Sequence, residues 1–244
     1  MPSADDLAIA RYARMRWNTP LSESHAALLL QRLDIPAGAH VMDLGCGWGE
    51  LLLRAVGADG TGSRTGTGVD TDDAALARGR ALAANRSLDK QVTFLKQEAA
   101  AWRERAERVM CIGASHAFGG TREALRALAD LVQPGGRLLF GEGFWERPPT
   151  KEATEILGAE IMPLADLVEH ARSLGWRVLH LSTADQREWD DFESTWLAGR
   201  QEWLLHHPED PRAAGLRDEL DARLREYVGV YRGVLGLAYF VLGR

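Results

Sequence analysis

Val41-Met42-Asp43-Leu44-Gly45-Cys46-Gly47-Trp48-Gly49-Glu50 is the stretch whose reading decides the fold. An apolar run opens it, an acid stands near the run's end, three glycines alternate with other residues, and a helical pattern follows. The pattern predicts strand, tight turn, helix. Glycine tolerates positive φ and lets a second molecule approach the backbone where a Cβ would stand. A helix starting after such a turn also offers unpaired N–H groups. The stretch therefore predicts a nucleotide-like ligand across the turn.

Spacing narrows the ligand. A dinucleotide fingerprint needs its third glycine three positions after the second, and Glu50 stands there instead. Asp43 precedes Gly45 by two positions, where a pyrophosphate gains nothing from a carboxylate and a cationic ligand does. The stretch resembles motif I of the class I S-adenosylmethionine-dependent methyltransferases, whose cofactor carries an ammonium and a sulfonium but no phosphate. The resemblance implies that Asp43, Gly45, Cys46 and Gly47 meet S-adenosyl-L-methionine and its product S-adenosyl-L-homocysteine. It also implies a Rossmann-like doubly wound α/β sheet of seven strands, mostly parallel, with an antiparallel last strand.

Composition is that of an ordinary soluble globular protein. The 244 residues are 45% hydrophobic and 26% charged, with a net charge of -6 and no extended basic tract. Nucleic acid is therefore not the expected partner. Met1-Pro2-Ser3-Ala4-Asp5-Asp6 lacks the basic and apolar regions of a signal peptide. Val234 to Leu242 is too short to span a bilayer and suits a buried strand. The expectation is a cytoplasmic protein with a small-molecule substrate and no membrane partner. Cys46 and Cys111 match no metal spacing, so the expectation is reduced thiols and no metal.

Outward from the motif, a first segment over about 4–17 reads as helical, and Ser22 as the N-cap of a helix burying Ala26, Leu29, Leu30 and Leu33. In the family resemblance such helices close over the cofactor, and Tyr12 and Trp17 would face the sulfonium. Gly66-Thr67-Gly68-Val69-Asp70 reads as a second strand ending in an acid, roughly where ribose hydroxyls are bound in both cofactor families. Asp70, with Thr71 beside it, is the ribose candidate. Residues 72–86 read as a helix and Gln91 to Lys96 as the third strand. Glu98 and Ala99 follow, at the positions where the resemblance puts the adenine contacts.

Arg108 to Gly113 is the expected fourth strand, and Ala114-Ser115-His116-Ala117-Phe118-Gly119-Gly120 the loop beyond it. Ligands of open α/β sheets bind past the carboxyl ends of strands. Gly113 is a cofactor-contact candidate, and that rule makes His116 either a structural histidine or a proton-transfer group, a role that suits histidine as a residue type. A helix over Thr121 to Val132, a Gln133-Pro134-Gly135-Gly136 turn and a fifth strand, Arg137 to Phe140, extend the resemblance. Glu142, flanked by glycines, reads as a loop residue beside His116, followed by Trp145.

Leu164 to Leu174 reads as a helix, residues 175–181 as the sixth strand and 231–242 as the seventh. Between these strands lies an acidic, aromatic stretch, Asp185 through Tyr227, expected to be a helical hairpin over the pocket, whose second helix, about Pro211 to Val228, has its alternating charges on a solvated face. The organisation expected is one methyltransferase domain, with N-terminal helices over 1–34, a cofactor-binding core over 35–184, a helical lid over 185–230 and a last strand over 231–244. Working roles are His116 as base and Glu142 as orienter, with Trp17, Trp145, Trp189, Trp196 and Arg232 as substrate walls. The motif resemblance is densest over 35–142. A nicotinamide-dependent oxidoreductase and a non-catalytic S-adenosylmethionine-binding regulator are the competing readings, the first opposed by Asp43 and the glycine spacing.

Overall fold

The computed structural model describes residues 7, 11–58, 60 and 62–244. Most of the expected first helix, and the Met1–Asp6 segment, fall outside the described residues; within it Leu7, Arg11 and Tyr12 are helical. Helix α1 (Glu23–Leu33) starts where Ser22 accepts the His25 N–H at 3.2 Å, satisfying one of the donors that a helix start leaves free.

Strands β1 (His40–Leu44), β2 (Thr65–Asp70), β3 (Val92–Lys96), β4 (Ala106–Ile112), β5 (Val132–Trp145), β6 (Arg177–Thr183) and β7 (Leu235–Gly243) form one sheet in the order β3-β2-β1-β4-β5-β7-β6. β1 pairs in parallel with both β2 and β4, β2 with β3, and β4 with β5, whereas β7 runs antiparallel to β6. Between β1 and β4 the winding reverses, and the crevice at such a reversal is where open α/β sheets take their ligands. Helices α2 (Glu50–Gly57), α3 (Asp73–Asn85), α4 (Thr121–Leu131) and α6 (Leu164–Ser173) belong to the same packed unit, residues 22–144, 162–183 and 237–244.

The amphipathic stripe of α4 explains its packing. Ala124, Leu125, Leu128 and Leu131 are buried in one cluster with Leu138, Phe140 and Trp176. Trp176 is 1% exposed and donates its indole N–H to the Leu125 carbonyl at 3.1 Å, so the large apolar ring is buried without leaving its donor unpaired.

Three boundaries differ from the sequence reading. β5 begins at Val132, because Val132 pairs with Ala106 before the register shifts and resumes at Arg108 with Arg137. The Pro-Gly-Gly segment is thus an irregularity inside a strand. Glu142 and Gly143 likewise lie in β5 and not in a loop. Gly141 opposes Ile112, where a Cβ would come within 2.6 Å of the Ile112 side chain, so the glycine serves close strand approach. β7 starts at Leu235, since Tyr227–Tyr231 form a single π-type turn.

The second packed unit holds the described residues up to Leu21 together with 145–161 and 184–236. It contains α5 (Lys151–Leu157), which the sequence reading did not anticipate, and a pair of helices, α7 (Gln186–His206) and α8 (Ala213–Glu226). Asp185 and Glu188 cap α7 reciprocally, the two-way arrangement that satisfies a pair of donors at once. Some of the α8 charges are not solvated. Arg223 makes a two-pronged contact, at 2.8 and 2.9 Å, with Glu193, which is 1% exposed and also accepts the Tyr231 hydroxyl at 2.9 Å.

Candidate active site

The β1–α2 turn is pinned by the neighbouring strand. The N–H groups of Gly45 and Cys46 both donate to the Val69 carbonyl, at 2.8 and 3.0 Å, and Gly49 N–H donates to the Cys46 carbonyl at 2.8 Å. Gly45 has φ +76°, and a Cβ there would sit 2.2 Å from that of Ala114. It is what lets the turn close onto the segment after β4. Gly47 and Gly113 also have positive φ, +55° and +65°, but a Cβ on either would meet nothing within 4 Å. Those two glycines leave open space at the carboxyl edge of the sheet.

Two carboxylates frame that space. Asp43 lies in β1, 7% exposed, and no hydrogen bond reaches its carboxylate from the described residues. Burial, and after it the negative charge of Asp70, push its pKa up to about 7. A buried carboxyl without donors gains most from a cation that arrives with a ligand. Asp70 ends β2 and ties the turn together. Its Oδ2 accepts the Gly47 N–H at 2.7 Å, and its Oδ1 accepts the N–H groups of Thr71 and Asp72 at 2.8 and 3.0 Å. Gln97 N–H donates to the Asp70 carbonyl at 3.0 Å, which draws the end of β3 to the end of β2. Glu98 and Ala99 therefore follow directly beside Asp70, Glu98 exposed and Ala99 buried.

Glu50, at the fingerprint's third-glycine position, is tied elsewhere. Only 6% exposed, it accepts Arg54 Nε at 2.8 Å and Arg86 Nη2 at 2.6 Å, joining α2 to the end of α3. The thiols of Cys46 and Cys111 are both pushed well above their ordinary pKa by burial and by the charge of Asp43. They are inert thiols, since thiolate is the reactive form.

Beyond β4, Ser115–Phe118 form a short 3-10 turn that holds His116 exposed. Glu142 of β5 comes to the same place. Burial raises its pKa, opposed by the Ser115 and Thr121 hydroxyls, the Gly143 N–H and the charge of His116. Its Oε1 accepts the Gly143 N–H at 3.1 Å, while Oε2 is buried without a hydrogen-bond partner. The sequence reading joined His116 to Glu142 but missed Ser115 and Thr121. The only signal for them was the hydroxyl type of the loop residue before His116 and of the first residue of α4.

The remaining substrate candidates lie in the second unit, where several are occupied by neighbours. Arg232 pairs with Asp190 through two contacts of 2.8 Å, and Asp190 also accepts the Tyr227 hydroxyl at 2.5 Å. Trp196 lies against the guanidinium groups of Arg200, Arg223 and Arg11, at 3.9, 4.9 and 5.4 Å from the ring. Trp189 meets Phe192 edge-on at 6.1 Å, with its indole N–H buried and without an acceptor. Trp145 is 7% exposed and ends β5; Trp17 is half-buried.

Sheet, glycine turn and switch in strand order define a Rossmann-like α/β protein. Comparison with known proteins agrees. A family model described as a methyltransferase domain matches residues 41–136. The chain is 32% identical over 235 residues, 93% of each chain, to the uncharacterized protein YjhP of Escherichia coli strain K12. A SAM-dependent methyltransferase from Geobacter sulfurreducens, solved in complex with S-adenosyl-L-homocysteine, matches with a TM-score of 0.87 and 27% identity over 99% of this chain and 98% of that one. Its counterpart from Thiobacillus denitrificans, in the same complex, has a TM-score of 0.87 and 29% identity over 100% and 99%. This chain belongs to the class I S-adenosylmethionine-dependent methyltransferases. S-adenosylmethionine is its cofactor.

Proposed function

We propose that the protein transfers the methyl group to a small-molecule acceptor at the carboxyl edge of β4 and β5, with His116 taking a proton from the acceptor and Glu142 orienting it. The observation that carries this is the meeting of an exposed imidazole just beyond β4 with a largely buried carboxylate of β5, its parallel neighbour. S-adenosylmethionine supplies an electrophilic methyl on a sulfonium centre. The chain must then hold the cofactor, exclude water and align the acceptor, and alignment alone can be worth up to ~7–11 kcal/mol in favourable systems.

In this reading Asp43 takes the ammonium of the cofactor, Asp70 and Thr71 its ribose hydroxyls, and Glu98 with Ala99 its adenine. Gly45, Cys46, Gly47 and Gly113 form the floor, supported by the open space over Gly47 and Gly113. Asp70→Ala is expected to weaken S-adenosylhomocysteine by roughly 1.5–3 kcal/mol, the worth of hydrogen bonds to a charged group. Calorimetry on a folded variant checks it; unchanged affinity would remove Asp70 from the ribose role.

Acceptor selection is assigned to Trp17, Trp145, Trp189, Trp196 and Arg232. An alcohol, phenol or carbon acid needs a base, whereas an amine free base or a thiolate does not. The test is a screen of protonated and pre-ionised acceptors with methyl-labelled cofactor. Turnover of hydroxyl or carbon acids that falls with His116→Asn supports the base. Turnover confined to thiolates or amines, and indifferent to that substitution, refutes it.

A further inference from the structure

A second place in the molecule is built to hold something. Within the helical unit, a cavity of about 260 Å³ is lined by Leu7, Arg11, Tyr12, Arg200, Leu216 and Glu219. Arg200 is 2% exposed, and its Nε and Nη2 donors are buried without any acceptor among the described residues. Only Nη1 is paired, to Glu219 at 2.7 Å. A guanidinium has no acceptor capacity and five N–H donors, so leaving two of its nitrogens unpaired away from water is costly. The face of Trp196, 3.9 Å from the guanidinium carbon, offsets part of that cost by cation–π attraction.

Charge accounting points the same way. Arg14 has Glu202 at 2.5 Å and Arg223 has Glu193 at 2.8 Å, each pair complete. Arg11 and Arg200 share Glu219, at 3.7 and 2.7 Å. Among the described residues, one positive charge at the cavity is thus without its own counter-ion. The rest of the described lining, Leu7, Tyr12 and Leu216, is apolar or aromatic.

From this geometry we infer that the cavity is a binding site for a small organic monocarboxylate, its carboxylate on Arg200 with Arg11 alongside and its hydrocarbon body against Leu7 and Leu216. A single surplus charge suits a monoanion, and the planar guanidinium fork matches a carboxylate through two parallel hydrogen bonds. Because the free donors are shielded from water, the carboxylate reaches them by displacing a side chain of the lining. Arg11 and Glu219 are the more exposed charged side chains of the described lining, at 41% and 51%.

Benzoate and hexanoate, with benzamide and hexanamide as uncharged partners, are the probes. Each is titrated into the full chain by calorimetry and followed by ligand-detected nuclear magnetic resonance. At least one carboxylate is expected to bind about tenfold or more tightly than its amide, a difference set by charge-assisted hydrogen bonding. Arg200→Met is expected to abolish the preference. Leu216→Phe, which fills the cavity and keeps Arg200, is expected to block binding if the first variant does not fold. Both variants are titrated with S-adenosylhomocysteine as well, so that loss of the carboxylate alone is separated from loss of the cofactor site. Failure of both carboxylates to bind, equal affinity for acid and amide, or carboxylate binding that survives the substitutions overturns the site.

Discussion

Asp43→Asn is expected to stabilise the cofactor-free protein in alkaline buffer and to cripple cofactor binding, opposite effects from one atom change. The native carboxyl has its pKa raised to about 7, against about 3.9 in an unfolded chain. A group whose folded pKa is raised contributes stability that is whole below the unfolded value and lost as pH climbs through the folded one. The cofactor-free wild type should therefore lose stability between roughly pH 4 and 7, by an amount on the order of a few kcal/mol. Asparagine never ionises, so the variant should match the wild type in acid and exceed it at pH 8. Binding should move the other way. Removing one member of a buried charged pair costs ~2–5 kcal/mol, and the ammonium of S-adenosylhomocysteine would lose its partner. Denaturant unfolding at pH 5 and 8 and calorimetric titration give the two readouts. A variant as unstable as the wild type at pH 8, with full cofactor affinity, would contradict both halves.

His116→Ala should lower the methyl-transfer rate about 10²–10⁴-fold, the usual worth of a general base, with cofactor affinity kept. Retention of affinity is expected because His116 is assigned to the acceptor and not to the cofactor. His116→Asn keeps hydrogen bonding and removes proton transfer. A rate lost in both variants, together with loss of the acid limb of the pH profile, assigns the base. A near-normal rate and an unchanged profile in the Asn variant would make His116 an orienting group. Glu142→Gln adds a check on the partner carboxyl, since it keeps the shape and the Ser115 and Thr121 neighbours while removing the charge.

The region that positions the cofactor was legible because its signals are local. Gly45, Gly47 and Gly49 mark the turn, Asp43 argues for a cation, and Asp70 ends the next strand, all within a short stretch of chain. A helix cap was legible for the same reason, as Ser22 at α1 illustrates; Asp72 caps α3 in the same way, accepting the N–H groups of Ala74 and Ala75 at 2.8 and 3.1 Å. The start of β5 was not legible. Pro134, Gly135 and Gly136 carry strong turn chemistry, and only the pairing of Val132 with distant Ala106 overrides it. Charges on α8 were misread for a related reason. Arg223 has its partner, Glu193, on another helix, so no spacing along α8 reveals that the pair is interior. Arg200 carries no mark of its own in the sequence, because its burial to 2% exposure is a tertiary fact. Ser115 and Thr121 gather around Glu142 only after β4 and β5 are side by side.

The most direct test of the account is calorimetric titration of S-adenosylhomocysteine into the wild type at pH 7, in two buffers of different ionisation enthalpy. The account predicts one molecule bound per chain with release of protons, because the ligand's ammonium draws the Asp43 carboxyl, poised near pH 7 by burial, into its charged form. Asp43→Asn should abolish the buffer dependence. Absence of binding, or binding with the same heat in both buffers, would contradict a cofactor held by its cationic end at Asp43.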